Sequence, residues 1–206
     1  MVSLKVMYLH STPPETYLPF SIFCLRADST HFANSQSKGT SSIEKLIPDG
    51  HKWMRAIVAG TTFQDNMDLN LFYDKESRKF SEHGYIGLYK DKSIRAVGKL
   101  KKTIIAVEVE GKMTYRAETG EAPTPDETCR INEAIRRAED YGYNLRTISH
   151  RYFMVEKFYP IDFRKSSKNP IQKSKFFNLA DMFGYKTMPD TEKIAADLNG
   201  RTWEEF

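Results

Sequence analysis

The chain has 206 residues, of which 13% are aromatic, with 11 Tyr and 13 Phe against 2 Trp. A chain of this length most often forms one domain and can bury a sizeable core. Its net charge of +4 and pI near 8.9 are mild, so they permit a polyanionic partner without requiring one.

The cysteines and the apolar runs bear on where the protein resides. Cys24 and Cys129 are far apart and lack the spacing of metal ligands, which favours reduced thiols. The apolar run that ends at His10 is too short for a signal peptide, and no run approaches the roughly 18 residues of a membrane span. No glycine-rich phosphate loop or zinc-ligand spacing is present. We therefore expect a cytoplasmic protein with no cofactor and no membrane partner.

The N-terminal part of the chain predicts short strands joined by polar loops. Leu4 to Leu9 and Phe20 to Leu25 have the composition of strands, and the polar stretch 33–42 predicts an exposed loop. A short helix is predicted from Ser42 to Leu46. The stretch from His51 to Phe63 is ambiguous, because its apolar spacing suits either a helix face or a buried strand.

Two later stretches show the period-two alternation of strands. Asp65 to Tyr73 predicts a single strand, and Tyr85 to Glu110 predicts a three-stranded antiparallel meander with one buried face. Ile86 and Leu88 would lie on that face. Gly87 and Gly98, inside these strands, predict a bulge, a sharp bend or the close approach of another group.

The best-marked helix runs from Thr124 to Tyr141. Thr124 is a natural N-cap, Pro125 stands at the first helical position, and Glu127 completes a capping box. Gly142 predicts a left-handed stop. One apolar stripe follows the helix: Ile131, Ala134, Ile135 and Ala138.

The rest of the chain predicts a strand, a basic loop and a terminal helix. His150 to Tyr159 predicts a strand that Pro160 ends, and residues 164–175 hold five basic residues and no acid. Phe176 to Phe183 would form a short helical or extended segment, and Thr191 to Leu198 a modest helix. The last residues, 202–206, would be a disordered end or the beginning of a further segment.

These elements together predict the α+β class, with a bent antiparallel β-barrel-like sheet and flanking helices. Residues 1–185 would form one domain, and residues 186–206 a C-terminal helix and tail.

The order of elements, with the segments GYIGLYKDKSIRAVGKL and HRYFMVEKFYPIDFRKSSK, resembles the PUA-like superfamily, in particular its EVE, ASCH and YTH domains. The resemblance covers roughly residues 49–183. It implies a bent β-barrel that binds DNA or RNA. Members of the EVE and YTH groups hold a modified base in an aromatic pocket, and some serve as the recognition module of modification-dependent restriction systems. An attached or associated motor or nuclease subunit would then be a partner.

A pocket for a flipped or single-stranded base needs flat rings for stacking and donors for the base edge. Trp53 is the leading candidate, because it is the only Trp in the predicted domain body. The candidate base-pocket residues are Trp53, Tyr85, Tyr89, His51, His150 and Tyr152. A core position for Trp53, solvent-facing strand tyrosines and a structural role for His150 are the open alternatives.

Basic side chains around the last strand are candidates for contact with a phosphate backbone. They are Arg151, Lys157, Arg164, Lys165, Lys168 and Lys173. The alternative is an ordinary solvated surface, which is what most charge runs form.

Two other functions stay open. Glu110-Gly111-Lys112 matches half of a metal-dependent nuclease site, in which Asp91, Asp74 or Asp68 would supply the second carboxylate. The same three residues also fit a hairpin turn. A protein-interaction module of a defence or anti-defence system would use exposed tyrosines and arginines equally well. The prediction from sequence is a non-catalytic reader of a modified or flipped base, in DNA more readily than in RNA.

Overall fold

The structure is a computed structural model that describes residues 47–206, which belong to one compact unit. The elements predicted before residue 47 lie outside the described residues. The strands are β1 Trp53–Val58, β2 Leu71–Lys75, β3 Tyr85–Lys90, β4 Ser93–Val109, β5 Lys112–Ala117, β6 His150–Arg164 and β7 Ser174–Asn178. The helices are α1 Phe63–Leu69, α2 Pro125–Asp140, α3 Leu179–Phe183 and α4 Thr191–Leu198. Short 3-10 turns span Asp49–Lys52, Gly60–Thr62 and Trp203–Glu205.

Seven strands form one sheet in the order β2-β6-β4-β3-β1-β7, with β5 paired to the far end of β4. The α+β class is therefore confirmed. The sheet is mixed rather than purely antiparallel, because β1 and β3 pair in parallel. A parallel pair needs a crossover connection, and here α1 and β2 supply it.

The sheet is open but strongly curled. In the described residues its edge strands β2 and β7 pair with β6 and β1 and not with each other. Four strand spacings of about 4.8 Å separate β2 from β1 along the sheet, which is roughly 19 Å if the sheet were flat. Arg55 Nη2 on β1 nevertheless lies 3.9 Å from Asp74 Oδ2 on β2. The two ends of the sheet therefore bend toward each other and enclose an inner face.

Both faces of the sheet are buried over most of its area. The inner face carries an apolar cluster that includes Ile57, Phe72, Ile86 and Phe153. One end of the outer face packs against the apolar stripe of α2, and the other packs against α4 and Trp203. β3 is consequently buried on both sides, where the alternation predicted a single buried face.

The predicted three-stranded meander is in fact a hairpin between β3 and the 17-residue strand β4. Asp91 and Lys92 form its turn with φ values of 51° and 58°, as a type I′ turn requires. The register shifts between Gly98 and Leu100, and a Cβ at Gly98 would overlap Val155 Cγ1. The predicted role of Gly98 at a bend with close approach is confirmed.

The single strand predicted from Asp65 to Tyr73 is wrong. The chain forms α1 up to Leu69, and Asn70 then adopts the left-handed conformation with φ 48° before β2 begins. Asn70 Oδ1 also accepts a hydrogen bond from the Phe158 amide at 3.0 Å, so the reversal is tied to β6. The ambiguous stretch before it is resolved as strand β1.

The predictions for α2 and α4 are confirmed. The Glu127 amide donates to Thr124 Oγ1 at 3.3 Å, and Glu127 Oε2 accepts from the Thr124 amide at 2.8 Å, which completes the capping box. Strand β6 does not end at Pro160. Pro160 lies opposite Ala96 beside a register shift, where a residue without an amide hydrogen is tolerated.

The C-terminal residues pack on the sheet rather than forming a free end. Trp203 is buried, and its Nε1 donates to the Phe163 carbonyl at 3.0 Å. Within residues 47–206, no helix combines the length and apolar character needed to cross a membrane.

Candidate functional site

The six predicted base-pocket residues do not converge on one site. Tyr85 and Tyr89 are each 3% exposed and lie in the outer-face core, with the Tyr89 ring 5.6 Å from that of Trp203. Tyr152 is fully buried beneath α2. A ring buried in this way offers no face to a base, so the prediction of a single aromatic pocket from these residues is not supported.

The histidines and Trp53 are also dispersed. Half-buried Trp53 begins β1, and His150 is buried with its Nδ1 2.6 Å from the Ile148 carbonyl oxygen. Burial lowers the pKa of His150. His51, which is exposed, and Tyr85, which is buried, both line one cavity of about 340 Å³ whose wall is mostly apolar.

Several predicted phosphate contacts are engaged within the protein. Arg151 is 8% exposed, and its Nε and Nη2 each lie 2.5 Å from a Glu118 carboxylate oxygen. Arg151 is therefore a structural residue and not a surface contact. Arg164 Nε donates to Asp162 at 2.6 Å, and Lys165 Nζ donates to Ser167 Oγ.

The other predicted basic residues remain accessible. Lys157, Lys168 and Lys173 are exposed, and Lys157 Nζ lies 4.8 Å above the Tyr159 ring.

The Glu110-Gly111-Lys112 segment is the turn between β4 and β5. Glu110 and Gly111 both have positive φ, 50° and 75°, as a type I′ hairpin requires, and Glu110 and Lys112 are exposed. Asp68 and Asp74 form ion pairs with Arg137 and Arg78. Across residues 47–206, no three His, Cys, Asp or Glu side chains are grouped so that they could hold a metal ion.

A different cavity lies inside the curl, where β1 and β7 face β2. It has a volume of about 610 Å³ and is called the Arg55 cavity here. β1 supplies Arg55, β2 supplies Phe72 and Asp74, the β2–β3 connection supplies Arg78 and Lys79, and the approach to β7 supplies Lys173.

Arg55 is the unusual residue of this cavity. It is 6% exposed, and its Nε and Nη1 are buried without a hydrogen-bond partner among residues 47–206. Its guanidinium carbon lies 5.2 Å from the Phe80 ring centroid and 5.7 Å from that of Phe153. Burial lowers the pKa of Arg55, and nearby Asp74 only partly opposes this. Arg55 is therefore a buried cation whose loss of hydration is only partly compensated. The effective penalty for burying an ion in this way is on the order of several kcal/mol of folding free energy.

The charge balance of the cavity is strongly positive. Asp74 is the one carboxylate that residues 47–206 contribute to the lining, and it lies 2.8 Å from Arg78 Nη1 but 3.9 Å from Arg55 Nη2. In the described part of the chain, four cationic side chains thus line the cavity against a single anion, and exposed Lys79 and Lys173 lie at its rim. A bound anion would reduce this imbalance.

Arg151 fixes part of the backbone that forms the cavity wall. Its Nη1 donates to the carbonyl oxygens of Glu76 and Arg78, both at 3.1 Å, and so fixes the start of the β2–β3 connection. The Phe80 ring lies 4.8 Å from the Arg151 guanidinium and 5.2 Å from that of Arg55. These contacts hold Arg78 and Lys79 on rigid backbone beside the cavity.

His83 is buried in the aromatic layer behind Arg55. Its Nδ1 lies 2.9 Å from the Ser81 carbonyl oxygen, so Nδ1 carries the proton and Nε2 is a buried acceptor without a partner in the described part of the chain. Burial, helped by the charge of Arg55, lowers the pKa of His83 to about 4. His83 is therefore neutral at neutral pH and adds no further cation.

The residues predicted from the sequence do not include Arg55, Phe72, Arg78 or Lys79, and they include Asp74 only as a nuclease carboxylate. One pattern could have found Arg55: it is a charged residue inside the otherwise apolar strand WMRAIV. Arginine is almost never fully buried unless it is paired or has a function.

Comparison with known proteins gives no relative: no protein-family model matches the chain, and no curated protein or solved structure matches it significantly.

Proposed function

We propose that this protein is a nucleic-acid reader of PUA-like type that takes one unpaired nucleotide into the Arg55 cavity. The observation that carries the proposal is the buried Arg55. Among residues 47–206, two of its nitrogens have no partner, and four cationic side chains and one carboxylate line its cavity. A nucleotide supplies the missing negative charge through its phosphate.

The size and the walls of the cavity suit the rest of a nucleotide. Its volume of about 610 Å³ falls within the range of small-molecule sites. Phe72 and Ile57 belong to the apolar part of its wall, against which a base can pack. Asp74, Gln172 and Ser174 line the cavity with side-chain oxygens that can accept from the amino group on the edge of a base.

The basic loop between β6 and β7 supports a polymer over a free nucleotide. Lys173 belongs to this loop and also lines the cavity, and exposed Lys168 lies farther along it. These lysines would contact phosphates on either side of the bound nucleotide. Such contacts give affinity that depends on salt and not on sequence.

The test is a binding measurement on an Arg55→Met variant. Fluorescence anisotropy would follow labelled DNA and RNA, as single strands and as duplexes with a mismatched or extruded base. Each would be unmodified or carry methylated or hydroxymethylated bases. We expect Arg55→Met to weaken binding about 5- to 150-fold, since loss of a direct arginine contact costs about 1–3 kcal/mol. Its melting temperature should not fall, because methionine removes a poorly compensated buried charge.

Two further variants make this result decisive. Arg78→Ala with Lys79→Ala removes exposed cations of the same cavity and should also weaken binding, whatever Arg55→Met does to folding. Arg136→Met removes an exposed arginine of α2 that pairs with Glu133, and it should bind like the wild type. Full affinity in the cavity variants, or no binding of any nucleic acid by the wild type, would overturn the proposal.

A further inference from the structure

A second concavity continues from the Arg55 cavity along the outer edge of β2. It has a volume of about 650 Å³ and shares Val58, Phe72, Asp74 and Arg78 with the first. Its remaining wall comes from residues 59–62, from Tyr73 and Lys75 of β2, from the segment that follows α2, including Tyr143, and from His150. We call it the Tyr143 groove. The shared residues make the two concavities one continuous surface.

The Tyr143 groove is lined by large apolar side chains that are not covered. Val58, Tyr143 and Ile148 are 45%, 46% and 50% exposed. Cationic Arg78 and exposed Lys75 line the same groove. A ligand that suits this surface has flat or apolar groups alternating with negative charges.

Tyr143 is held in place by the end of α2. The Gly142 amide donates to the Glu139 carbonyl at 2.9 Å and the Tyr143 amide to the Ala138 carbonyl at 3.0 Å, which is a Schellman motif. Gly142 has the left-handed φ of 76° that this motif needs. The backbone at Tyr143 is thus fixed before any ligand arrives, which lowers the entropy cost of binding.

Asn144 fixes the next turn of the same segment. Its Oδ1 accepts hydrogen bonds from the Arg146 amide at 3.0 Å and the Thr147 amide at 3.3 Å. This places Ile148 at the groove on an ordered backbone.

We propose that the two concavities together bind a single strand of nucleic acid, with one nucleotide in the Arg55 cavity and its neighbour stacked on Tyr143. This inference rests on the proposed function and specifies its substrate. A duplex hides the faces of its bases, whereas a single strand can present one base to each concavity. Arg78, which lines both, is placed to contact the phosphate between them.

The experiment is a length series measured by calorimetry on the full chain. The probes are deoxycytidine monophosphate, the di- and trinucleotides of deoxycytidine, and the trinucleotide sequence inside a DNA hairpin stem. We expect affinity to rise about tenfold from mononucleotide to dinucleotide, since stacking one base contributes about 1–3 kcal/mol. The paired stem should bind more weakly than the free trinucleotide.

Tyr143→Ala should remove the gain from the second nucleotide and leave affinity for the mononucleotide unchanged, whereas Tyr143→Phe should keep the gain. Tyr115→Ala is the control, because Tyr115 is a tyrosine of β5 that lines neither concavity.

The outcomes separate this inference from the proposed function. Mononucleotide binding that needs Arg55 but does not increase with length would overturn the single-strand inference and leave the proposed function standing. The same holds if Tyr143→Ala binds the dinucleotide as tightly as the wild type. If neither nucleotides nor oligonucleotides bind, both proposals fail. Equal competition by an acidic hexapeptide with aromatic residues would assign the groove to a protein partner instead.

Discussion

Arg55 combines a full charge with a position in the middle of a strand that is otherwise apolar. The Phe80 and Phe153 rings recover part of the cost, because a guanidinium beside an aromatic ring is worth about 0.5–2 kcal/mol. They provide no hydrogen-bond acceptor for Nε and Nη1. Arg55 therefore lowers the stability of the free protein and is complementary to an anion. This combination is expected of a binding-site residue, because binding sites often keep groups that reduce stability.

His83 gives a prediction about pH at the scale of one residue. Its pKa is about 4 in the folded protein and about 6.5 in an unfolded chain, so the unfolded state takes up the proton first as pH falls. The free energy of unfolding should therefore decrease between pH 6.5 and pH 4. We expect a loss of roughly 1–2 kcal/mol between pH 6.5 and pH 5, measured by urea unfolding.

His83→Gln should reduce this pH dependence, because glutamine does not titrate. His150, whose pKa is also lowered, contributes in the same direction and remains in both proteins. Carboxylates such as Asp162, whose pKa the Arg164 guanidinium holds below its ordinary range, lose their stabilising contribution mainly below about pH 5, and they do so equally in both proteins. An identical slope in wild type and His83→Gln would show that His83 is not the titrating group.

At this scale, the sequence identified residue types more readily than their positions. Trp53, Tyr85 and Tyr152 were candidates because aromatic rings are suited to bases, but the same rings also fill cores. Which use applies depends on the face of the sheet that the helices cover, and α2 and α4 cover the faces of Tyr152 and Tyr85. A local pattern contains no information about that covering.

At the scale of elements, the bend of β4 gives a second prediction. A Cβ at Gly98 would overlap Val155 Cγ1 and lie 2.8 Å from Phe158 Cδ1 and 2.9 Å from the Lys157 carbonyl oxygen. Gly98→Ala should therefore separate β4 from β6, at a cost of about 1–3 kcal/mol in the free energy of unfolding. Thermal unfolding should show a decrease of several degrees in melting temperature.

Gly60→Ala is the matched control for Gly98→Ala. A Cβ there would meet no atom within 4 Å, and Gly60 is not among the glycines with positive φ. It should be neutral, or stabilising by a few tenths of a kcal/mol, because alanine restricts the unfolded chain. Equal stability of the two variants would mean that β4 and β6 adjust to a side chain at the bend without cost.

Elements defined by local chemistry were predictable, and elements defined by distant partners were not. Helix α2 carries its own cap, stripe and stop, so the sequence predicted its bounds to within one residue. The alternation around Met67 and Leu69 fitted a strand equally well, and the decisive residue was Asn70, whose left-handed conformation is held by β6. The continuous strand β4 likewise depends on pairing with β6 along its length.

At the scale of the whole molecule, the curl of the sheet creates the candidate site. Arg55 and Asp74 are far apart along the sheet and meet only because its ends approach each other. The sequence predicted a bent sheet, but not that β1 and β3 would run parallel and bring β1 opposite β2. That arrangement is set by the crossover through α1. The sequence did not predict α1, because the alternation between residues 65 and 73 also fits a strand.

The last prediction concerns the distribution of charge over the molecule. Lys79 and Lys173 stand at the rim of the Arg55 cavity, whereas exposed Lys101 and Lys112 line neither concavity. If the lysines of the rim contact phosphates, Lys79→Ala with Lys173→Ala should reduce the slope of log affinity against log salt by roughly 1.5. Lys101→Ala with Lys112→Ala removes the same net charge and should leave the slope unchanged. The measurement is anisotropy with a labelled single strand between about 50 and 200 mM salt. Equal slopes in the two double variants would mean that binding responds to net charge alone and that the strand does not follow the cavity.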